Sequence, residues 1–510
     1  MKNGKSANDI QIEYIKHSLD CKQFLNELVD LYRTIWTTRA IPKEWGNSKL
    51  VTLWKGPSKG KADDPETYRG IQIGSSLCKI MVTILLHRLK NWYESQLQDQ
   101  QQGFRSSRGT IDGIFIAKSA QQITDKMKKP TPVLFVDLSA AFDHVEISWL
   151  FKTIENRLLD GAINQVIQLL KAIYSYRTTA LSETPEDKFE INVGVRQGGP
   201  ESPMLYNLFM DFVMRIYLDE CKKKGIKFLR LKYNIPAVAS NTNNEAMGSF
   251  ALDWCGYADD LLLFFEDIAS LKKGVKLLDE IFQRYRLNIN ISKTKSMILN
   301  QQCEQKEYPT TICSLRGINV DNVEKYRYLG CEIKYNEPCT GETEINLRSD
   351  TAEYKFYSLA RNMLSRKIRL KTRVTMLNSL VRSRLVYACQ TWCVTRVQLN
   401  RLNSFYSSFI RKMVNGGYKR KENTWHFVLT NENLISMANT TELSTFIRKQ
   451  QKSYVGKIIR KDNQSLVKRL LFNNDSSRKP GRQLTLLSNV LNDAQCDMKA
   501  LLKKAMNGTI

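Results

Sequence analysis

Long apolar runs are missing from this chain. No stretch of about 18 apolar residues occurs, which excludes a helix that spans a bilayer. The start, Met-Lys-Asn-Gly-Lys-Ser-Ala-Asn-Asp, lacks the apolar core of a secretory signal. Histidine is scarce: His17, His87, His144 and His426 are the only four, and none sits in a nuclease-like cluster. The 11 cysteines are scattered. Cys389 and Cys393 lie four apart, but no second Cys/His pair follows at zinc-knuckle spacing, so free thiols in a reducing compartment are expected rather than structural zinc. Acidic residues are the last shortage. With 51 Asp+Glu against 77 Lys+Arg the net charge is +26, which favours a polyanionic partner, either nucleic acid or an acidic membrane face.

What is present suits a large folded protein. A chain of 510 residues with 42% hydrophobic and 25% charged residues predicts about two to four domains. Residues 1–45 read as helical, with Phe24, Leu28, Leu31 and Ile35 at helix spacing. Lys49 to Trp54 predicts a strand, and a Gly/Lys-rich polar loop follows. Helices are predicted after Tyr68-Arg69-Gly70-Ile71, from Thr110 to Lys126, over 145–178, after Pro203, and around Leu271, Val275, Leu278 and Phe282. Val133 to Val136 reads as a short buried strand, and Phe189, Ile191 and Val193 as a half-buried one. Residues 226–250, with Pro236 and a Ser-Asn-Thr-Asn-Asn run, read as an inserted loop. This order predicts an antiparallel sheet with helices on one side. From about 342 the pattern changes to long helices without strand signals, and between Glu344 and Arg384 ten Lys/Arg face three Asp/Glu. Residues 473–482 read as a linker.

Residues 251–265 interrupt this order with chemistry. Asp259 and Asp260 stand between Leu252, Trp254 and Tyr257 on one side and Leu261 to Phe265 on the other, which predicts a β-hairpin with its polar tip at Ala258-Asp259-Asp260. Two like charges beside apolar strands are costly unless a cation neutralises them. Tyr-Ala-Asp-Asp alone fits either a divalent-metal site or an ordinary acidic turn. Asp137 also ends a buried strand. Two strands delivering carboxylates to one sheet edge suit a pair of Mg²⁺ ions, which take oxygen ligands from a few carboxylates plus substrate phosphates. Ions about 4 Å apart stabilise both the attacking and leaving oxygens of displacement at phosphorus. Lys55, Lys59, Lys61 and Arg69 are candidate triphosphate contacts or solvated surface charges.

The set of segments resembles the reverse transcriptases of non-long-terminal-repeat (LINE-type) retrotransposons; group II intron and telomerase polymerases are more distant relatives. The matching stretches come in the family's order. They are Trp45 to Ile73 with Tyr68-Arg69, Gln102-Gly103-Phe104-Arg105, Phe135-Val136-Asp137-Leu138-Ser139-Ala140-Ala141-Phe142-Asp143, Gly194-Val195-Arg196-Gln197-Gly198-Gly199-Pro200-Glu201-Ser202-Pro203, Tyr257-Ala258-Asp259-Asp260, Leu287 to Lys295, and Tyr328-Leu329-Gly330. The resemblance covers roughly residues 1–335 and implies an α+β right-hand polymerase. Fingers would span 1–130, an antiparallel-sheet palm 131–340, a basic helical thumb 341–396 and a helical C-terminal extension 397–510.

The resemblance also implies roles. Asp137 and Asp259 bridge two Mg²⁺ ions, with Mn²⁺ a substitute; Asp260 tunes the site beside them and Leu138 offers a backbone carbonyl. Phe142 matches the steric gate that selects deoxynucleotides, the alternative being a core phenylalanine. Asp143 reads as a helix N-cap. Arg69, with Lys55 as helper, meets the triphosphate. Gln197 and Gly198 line the nucleotide and template base. Lys293, preferred over Lys295, is a general acid for the leaving pyrophosphate. Tyr328, Leu329 and Gly330 hold the primer end.

The implied activity is RNA-directed DNA synthesis on an RNA template from a DNA primer or target with dNTPs, without a membrane. The alternatives are an RNA-dependent RNA polymerase and a catalytically silent RNA-binding remnant. Phe142 argues against the first, because an RNA polymerase must accommodate a 2′-hydroxyl. The basic helices from 344 suit a phosphate track for an RNA–DNA hybrid or a solvated face. Arg478 to Arg482 is a further nucleic-acid contact or a linker. The start resembles the middle of the family's first polymerase segment, which implies a truncated reading frame. The nucleus is the compartment the family's habit implies, with the cytoplasm as the other one open to it.

Overall fold

The computed structural model describes residues 10, 12–57, 60–157, 161–175, 177–180, 188–242, 244–300, 308–336, 341–414, 418–421, 424–427, 429–474, 486–488, 490 and 498–508. Lys59, residues 1–9 and the basic run 478–482 lie outside them.

The chain opens with α1 (Ile12–His17) and α2 (Lys22–Thr38). An antiparallel pair follows, β1 (Asn47–Trp54) and β2 (Tyr68–Gly74), in which Leu53 stands opposite Arg69. Next come α3 (Ser76–Gln96), α4 (Thr110–Met127) and β3 (Thr131–Val136), all six residues of the strand buried. The helix predicted over 145–178 is two helices, α5 (Ile147–Glu155) and α6 (Gly161–Ser175). Both turn apolar stripes into the same core, α6 against α3 and α5 against the helix that begins at Ser202, so one continuous periodicity was legible where the chain turns. β4 (Thr178–Ala180) and β5 (Lys188–Glu190) then add to the first sheet, in the order β2-β1-β4-β5. Phe189 and Val193, expected half-buried, are exposed at 46% and 37%.

α7 (Ser202–Lys223) leads to β6 (Leu229–Ile235) and β7 (Ala246–Leu252). These two pair antiparallel from Leu229–Leu252 to Ile235–Ala246, so the loop expected over 226–250 is a hairpin. Leu229, Leu231 and Ile235 point inward while Arg230 and Lys232 stay exposed. That alternation is a strand pattern, and the polar run supplies only the connection.

The second sheet is assembled from β3, β8 (Trp254–Tyr257), β9 (Asp260–Phe264) and, after α8 (Ile268–Arg284), β10 (Lys295–Leu299). Its order is β10-β3-β9-β8 with every neighbour antiparallel. Helices were expected on one side only. Both faces are covered instead. Leu134, Val136, Leu261 and Leu263 join the core under α3, α5, α6, α7 and α8. Val133, Phe135, Leu262, Phe264, Met297 and Leu299 join a second core with residues of α4, β6 and the chain's C-terminal helices. The strands read as continuous apolar runs for this reason: each alternate residue has a core of its own.

Two short hairpins follow, β11 (Thr311–Leu315) with β12 (Ile318–Asp321) and β13 (Lys325–Tyr328) with β14 (Cys331–Lys334). The helical remainder begins with α9 (Glu342–Ser358), α10 (Ala360–Met363) and α11 (Leu370–Met376), which runs through a π turn into α12 (Ser383–Leu385). α13 (Arg396–Val414), α14 (Asn431–Met437), α15 (Leu443–Ile459) and α16 (Leu466–Leu471) follow, with a last helix over Met498–Met506. The expectation of helices alone after 342 is corrected by one hairpin between α13 and α14, in which Tyr418–Lys421 pairs antiparallel with Thr424–Phe427. One core takes Ile345, Phe356, Val381 and Trp392 together with Leu402, Phe409, Leu434 and Ile447, so it joins residues from both sides of position 396. The basic residues of this body divide. Arg348 is buried with Glu344, and buried Arg373 donates to the carbonyls of Met363, Ile368 and Met413. Arg361, Arg366, Lys367, Arg369, Lys371 and Arg384 are exposed, near exposed Tyr354 and Tyr357 in sequence. The eight cysteines among the described residues are unpaired. No helix among these residues is long and apolar enough to cross a membrane.

The far half of α15 and α16 leaves this body and packs on the rear of the second sheet, with Tyr454, Val455, Ile458, Ile459, Val467 and Leu470 in the same core as Phe135 and Leu262. Ile458→Ala should therefore destabilise the sheet itself, by about 2–5 kcal/mol for a fully buried aliphatic side chain. Urea unfolding followed by tryptophan fluorescence checks it, since buried Trp254 lies in that sheet. An unfolding midpoint equal to that of the unsubstituted chain would show that the segment is only loosely attached.

Candidate active site

β3 and β9 are the two central strands of the second sheet, paired from Val133–Phe264 to Val136–Leu261. The next residue of β3 is Asp137, and β9 begins at Asp260. The hairpin between β8 and β9 closes Tyr257 on Asp260, so the turn holds two residues, Ala258 and Asp259. Asp260 is thus the first strand residue rather than part of the tip. Neighbouring strands deliver Asp137 and the Asp259-Asp260 pair to one edge of the sheet.

Asp137 is held along its backbone. Its N–H donates to Thr294 Oγ1 at 3.3 Å, and its carbonyl accepts from Asn290 N–H at 2.9 Å. Ser139 N–H donates to the Asn288 carbonyl at 2.9 Å, and buried Leu138 bridges Ile289. The carboxylate is less provided for. Asp137 Oδ2 is buried without a hydrogen bond, and Lys293 Nζ stands 3.5 Å from it. Of the two lysine candidates, Lys293 faces this site, while Lys295 Nζ is 2.6 Å from Asp321 Oδ2.

The electrostatics are those of crowded anions. Burial pushes the Asp259 carboxyl above the ordinary carboxylate range; Asp137 adds to the shift, while Arg69 and Lys293 oppose it. Burial, then the charges of Asp259 and Asp137, pushes Asp260 up to about 6, although the residue retains solvent access. Among the described residues no group of three or more His, Cys, Asp or Glu side chains is gathered so as to hold a metal ion by itself. An open set of few carboxylates is nevertheless what Mg²⁺ commonly uses, because substrate phosphates supply further oxygens. The orphaned oxygen of Asp137 and the mutual repulsion of the three carboxyls fit a cation at this edge.

An aromatic wall borders the carboxylates. Phe142 is half-buried and stacks on Tyr206 with ring centres 4.5 Å apart and planes 11° apart. Phe104, 50% exposed at φ 54°, packs against both Phe142 and Tyr257. Tyr206 is fully buried, its hydroxyl has no hydrogen-bond partner, and it feels the charges of Asp259 and Asp260.

The first sheet brings the cationic side. Arg69 is exposed on β2 and acts on Asp259 through charge. Lys55 Nζ is engaged by the Glu66 carbonyl at 2.7 Å, within its own hairpin loop. The Gln197 carbonyl accepts from Gln72 N–H at 2.7 Å and ties this sheet to the loop before α7. Gly198 has φ 114°, and a β-carbon there would lie 2.8 Å from the Gln72 carbonyl, so the close approach requires glycine.

Two expectations are corrected here. Asp143 is not a helix N-cap: α5 starts at Ile147 after Glu146, and both Asp143 carboxylate oxygens accept from Gln197 Nε2 at 2.8 Å. Tyr328 is a core side chain, 3% exposed, whose hydroxyl reaches the Cys255 carbonyl at 3.4 Å. Only Leu329 and Gly330, the β13–β14 turn at φ 47° and 82°, are partly open for a primer contact. Sequence reasoning also missed Gln101, which bonds the hairpin turn at Ala258, and Tyr206, which backs Phe142. Tyr206 carried no signal beyond its place on an apolar helix stripe.

With this geometry in view, comparison with known proteins is specific. The family model described as reverse transcriptase (RNA-dependent DNA polymerase) matches residues 57–333. The Pol polyprotein of the type-1 retrotransposable element R2 of Popillia japonica is 25% identical over 302 residues, covering 57% of this chain and 38% of that protein. The probable RNA-directed DNA polymerase from transposon BS of Drosophila melanogaster is 28% identical over 194 residues, covering 35% of this chain and 20% of that protein. The chain thus spans less than two fifths of the length of either relative. Among solved structures, telomerase from Candida albicans aligns at TM-score 0.37 and 10% identity, over 87% of this chain and 68% of that one.

The crowding of carboxyls has a direct consequence. In chelator at pH 7.5, Asp260→Asn should melt about 1–2 °C above the unsubstituted chain, a small gain because solvent screens part of the repulsion. Millimolar Mg²⁺ or Mn²⁺ should cancel or reverse the difference. Differential scanning fluorimetry checks it, and a variant that melts lower in chelator would contradict the electrostatic reading.

Proposed function

Because the chain belongs to the reverse transcriptase (RNA-dependent DNA polymerase) family, we propose that it extends a primer 3′-hydroxyl on an RNA template with deoxynucleoside triphosphates, as the polymerase of a non-long-terminal-repeat retrotransposon. One observation carries the reading. Two adjacent central strands meet at Asp137 and the Asp259 turn, with an Asp137 carboxylate oxygen that accepts no hydrogen bond and has Lys293 as its ion-pair partner at 3.5 Å.

The division of work follows from the side chains. Arg69 receives the triphosphate; its guanidinium can grip phosphate oxygens bidentately. Lys55 stands near enough to Asp143 to act on it by charge, and its ammonium can leave the Glu66 carbonyl for a phosphate. Lys293 neutralises Asp137 and is placed to give a proton to the departing pyrophosphate. Phe142, backed by Tyr206, forms a rigid floor beneath the sugar that leaves no room for a 2′-hydroxyl. Gln197, fixed by Asp143, and Gly198 form the surface for the nascent base pair. Leu329 and Gly330, whose carbonyls are held by the Tyr387 hydroxyl and by Arg348, form a fixed turn beside the primer strand, and the Leu138 carbonyl is a further oxygen at the carboxylate edge. The family works with divalent metal; two Mg²⁺ ions, or Mn²⁺ in their place, would sit at Asp137, Asp259 and Asp260, lower the pKa of the attacking hydroxyl and offset the charge of the leaving group. The exposed Arg and Lys side chains of α10–α12 and the segment between α10 and α11 supply a phosphate track for the hybrid, whose affinity should fall steeply with salt. Copying at chromosomal DNA, and hence nuclear action, belongs to the same proposal.

Asp259→Asn should lower primer extension by at least about 10³-fold, as loss of a group that stabilises transition-state charge does, with RNA–DNA hybrid binding retained. Extension at the unsubstituted rate would remove Asp259 from the chemistry. Phe142→Ala should admit ribonucleotides in competition with deoxynucleotides; unchanged sugar discrimination would count against the gate. Preferred ribonucleotide use by the unsubstituted chain would instead favour an RNA-dependent RNA polymerase.

A further inference from the structure

The catalytic turn needs an outside support. Ala258 sits at φ 59°, a left-handed conformation that a non-glycine residue holds only when its surroundings fix it. Its own hairpin supplies the Tyr257–Asp260 closure and nothing for the Ala258 amide or carbonyl. Both are met by one side chain that is distant in sequence. Gln101, fully buried, accepts from Ala258 N–H at Oε1 over 3.0 Å and donates from Nε2 to the Ala258 carbonyl over 3.4 Å. The same Oε1 accepts from Gly103 N–H at 3.0 Å, which fixes the amide's orientation.

The backbone around Gln101 is equally committed. Gly256 N–H donates to the Gln100 carbonyl at 3.0 Å, and Gln102 N–H donates to the Gly256 carbonyl at 2.7 Å. Residues 100–102 thus run alongside β8 as a strap. Gly103 touches the turn so closely that a β-carbon would lie 2.5 Å from the Ala258 nitrogen. The Gly103 carbonyl accepts from Asn207 Nδ2 of α7 at 2.7 Å. The strap is anchored from behind as well: Asp99, at its start, accepts from Leu466 N–H at 2.5 Å and pairs with Arg108, and the following helix α4 is held where Asp112 accepts from the Tyr454 hydroxyl at 2.9 Å. The anchors come from α15 and α16, outside the segment that the family model matches.

We infer that Gln101 is the positioning residue of the catalytic turn, a buried amide clamp on Ala258 that fixes where the Asp259 carboxylate stands. The inference rests on the polymerase reading of that carboxylate. Gln101 touches neither substrate nor reacting atoms; it acts through the backbone. Removing the amide leaves two N–H groups and one carbonyl unpaired in a closed site, and the turn relaxes. A misplacement near 1 Å at a reacting centre costs about 10²-fold in rate.

The test uses the full chain with Gln101→Met, which keeps length and removes the polar atoms. Turnover in single-nucleotide primer extension should fall about 10²-fold, with KM for the nucleotide and Kd for primer–template within about threefold. Independently of activity, Mn²⁺ binding without nucleotide, measured by electron paramagnetic resonance titration, should weaken about 10-fold or more. A merely structural role would lower the melting temperature while leaving turnover per folded molecule and Mn²⁺ affinity unchanged, and that outcome overturns the inference. If Gln101→Met does not fold, Gly103→Ala pushes on the same amide and must give the same two losses; unsubstituted values for it overturn the inference too. Absence of any incorporation by the unsubstituted chain would sink the polymerase reading instead, and the Mn²⁺ comparison would still decide the clamp.

Discussion

Repulsion among Asp137, Asp259 and Asp260 is the constraint on which the rest of the structure turns. Three carboxyls at one sheet edge resist burial, and the described residues offset their charge only in part: Lys293 reaches one oxygen and Arg69 acts from the first sheet. Much of the architecture holds that unfavourable edge in place. β3 and β9 sit at the centre of their sheet and are buried on both faces, so the strand ends cannot splay. The stretch 288–290 ties Asp137 and Ser139 by backbone, the 99–103 strap ties the turn, and Tyr206 backs the wall beside them. On the proposed polymerase reading, such an edge, costly without its ligand and rigid around it, would receive a cation with little rearrangement.

Rigidity comes partly from far along the chain. The helical body after residue 341 has its own core, yet α15 and α16 return to cover the rear of the central sheet, gripping the strap through Asp99 and the start of α4 through Asp112. This segment packs into the same body as the carboxylate edge rather than standing apart from it. The tie between Gln72 and Gln197 does the same on the other side, coupling the sheet that bears Arg69 to the loop that bears Gly198.

Much of this was legible in the sequence, for identifiable reasons. The strand ending at Asp137 and the Asp259 hairpin declared themselves because carboxylates interrupt apolar runs. Motif order carried the family, and the family resemblance favoured Lys293, the lysine that faces the site. Contacts between remote segments were not legible. Nothing local in Gln101 says that its amide caps a turn 157 residues away. Asp143 was misjudged because an acidic residue before a helix resembles a cap, whereas its carboxylate is needed by Gln197. Tyr328 was misjudged because motif membership does not say which way a side chain points. The β6–β7 hairpin was hidden by the polar connection between its strands, and the two-sided burial of the sheet by the expectation of a single covered face.

The central claim is that Asp137 and Asp259 meet closely enough to share cations. Anomalous scattering from crystals of the chain grown with Mn²⁺, a primer–template and a non-hydrolysable deoxynucleoside triphosphate tests it most directly. The account predicts Mn²⁺ peaks between the two carboxylates and the triphosphate, about 4 Å apart if both ions are ordered. Carboxylates turned away from each other, with Mn²⁺ bound elsewhere or only on the phosphates, would contradict it.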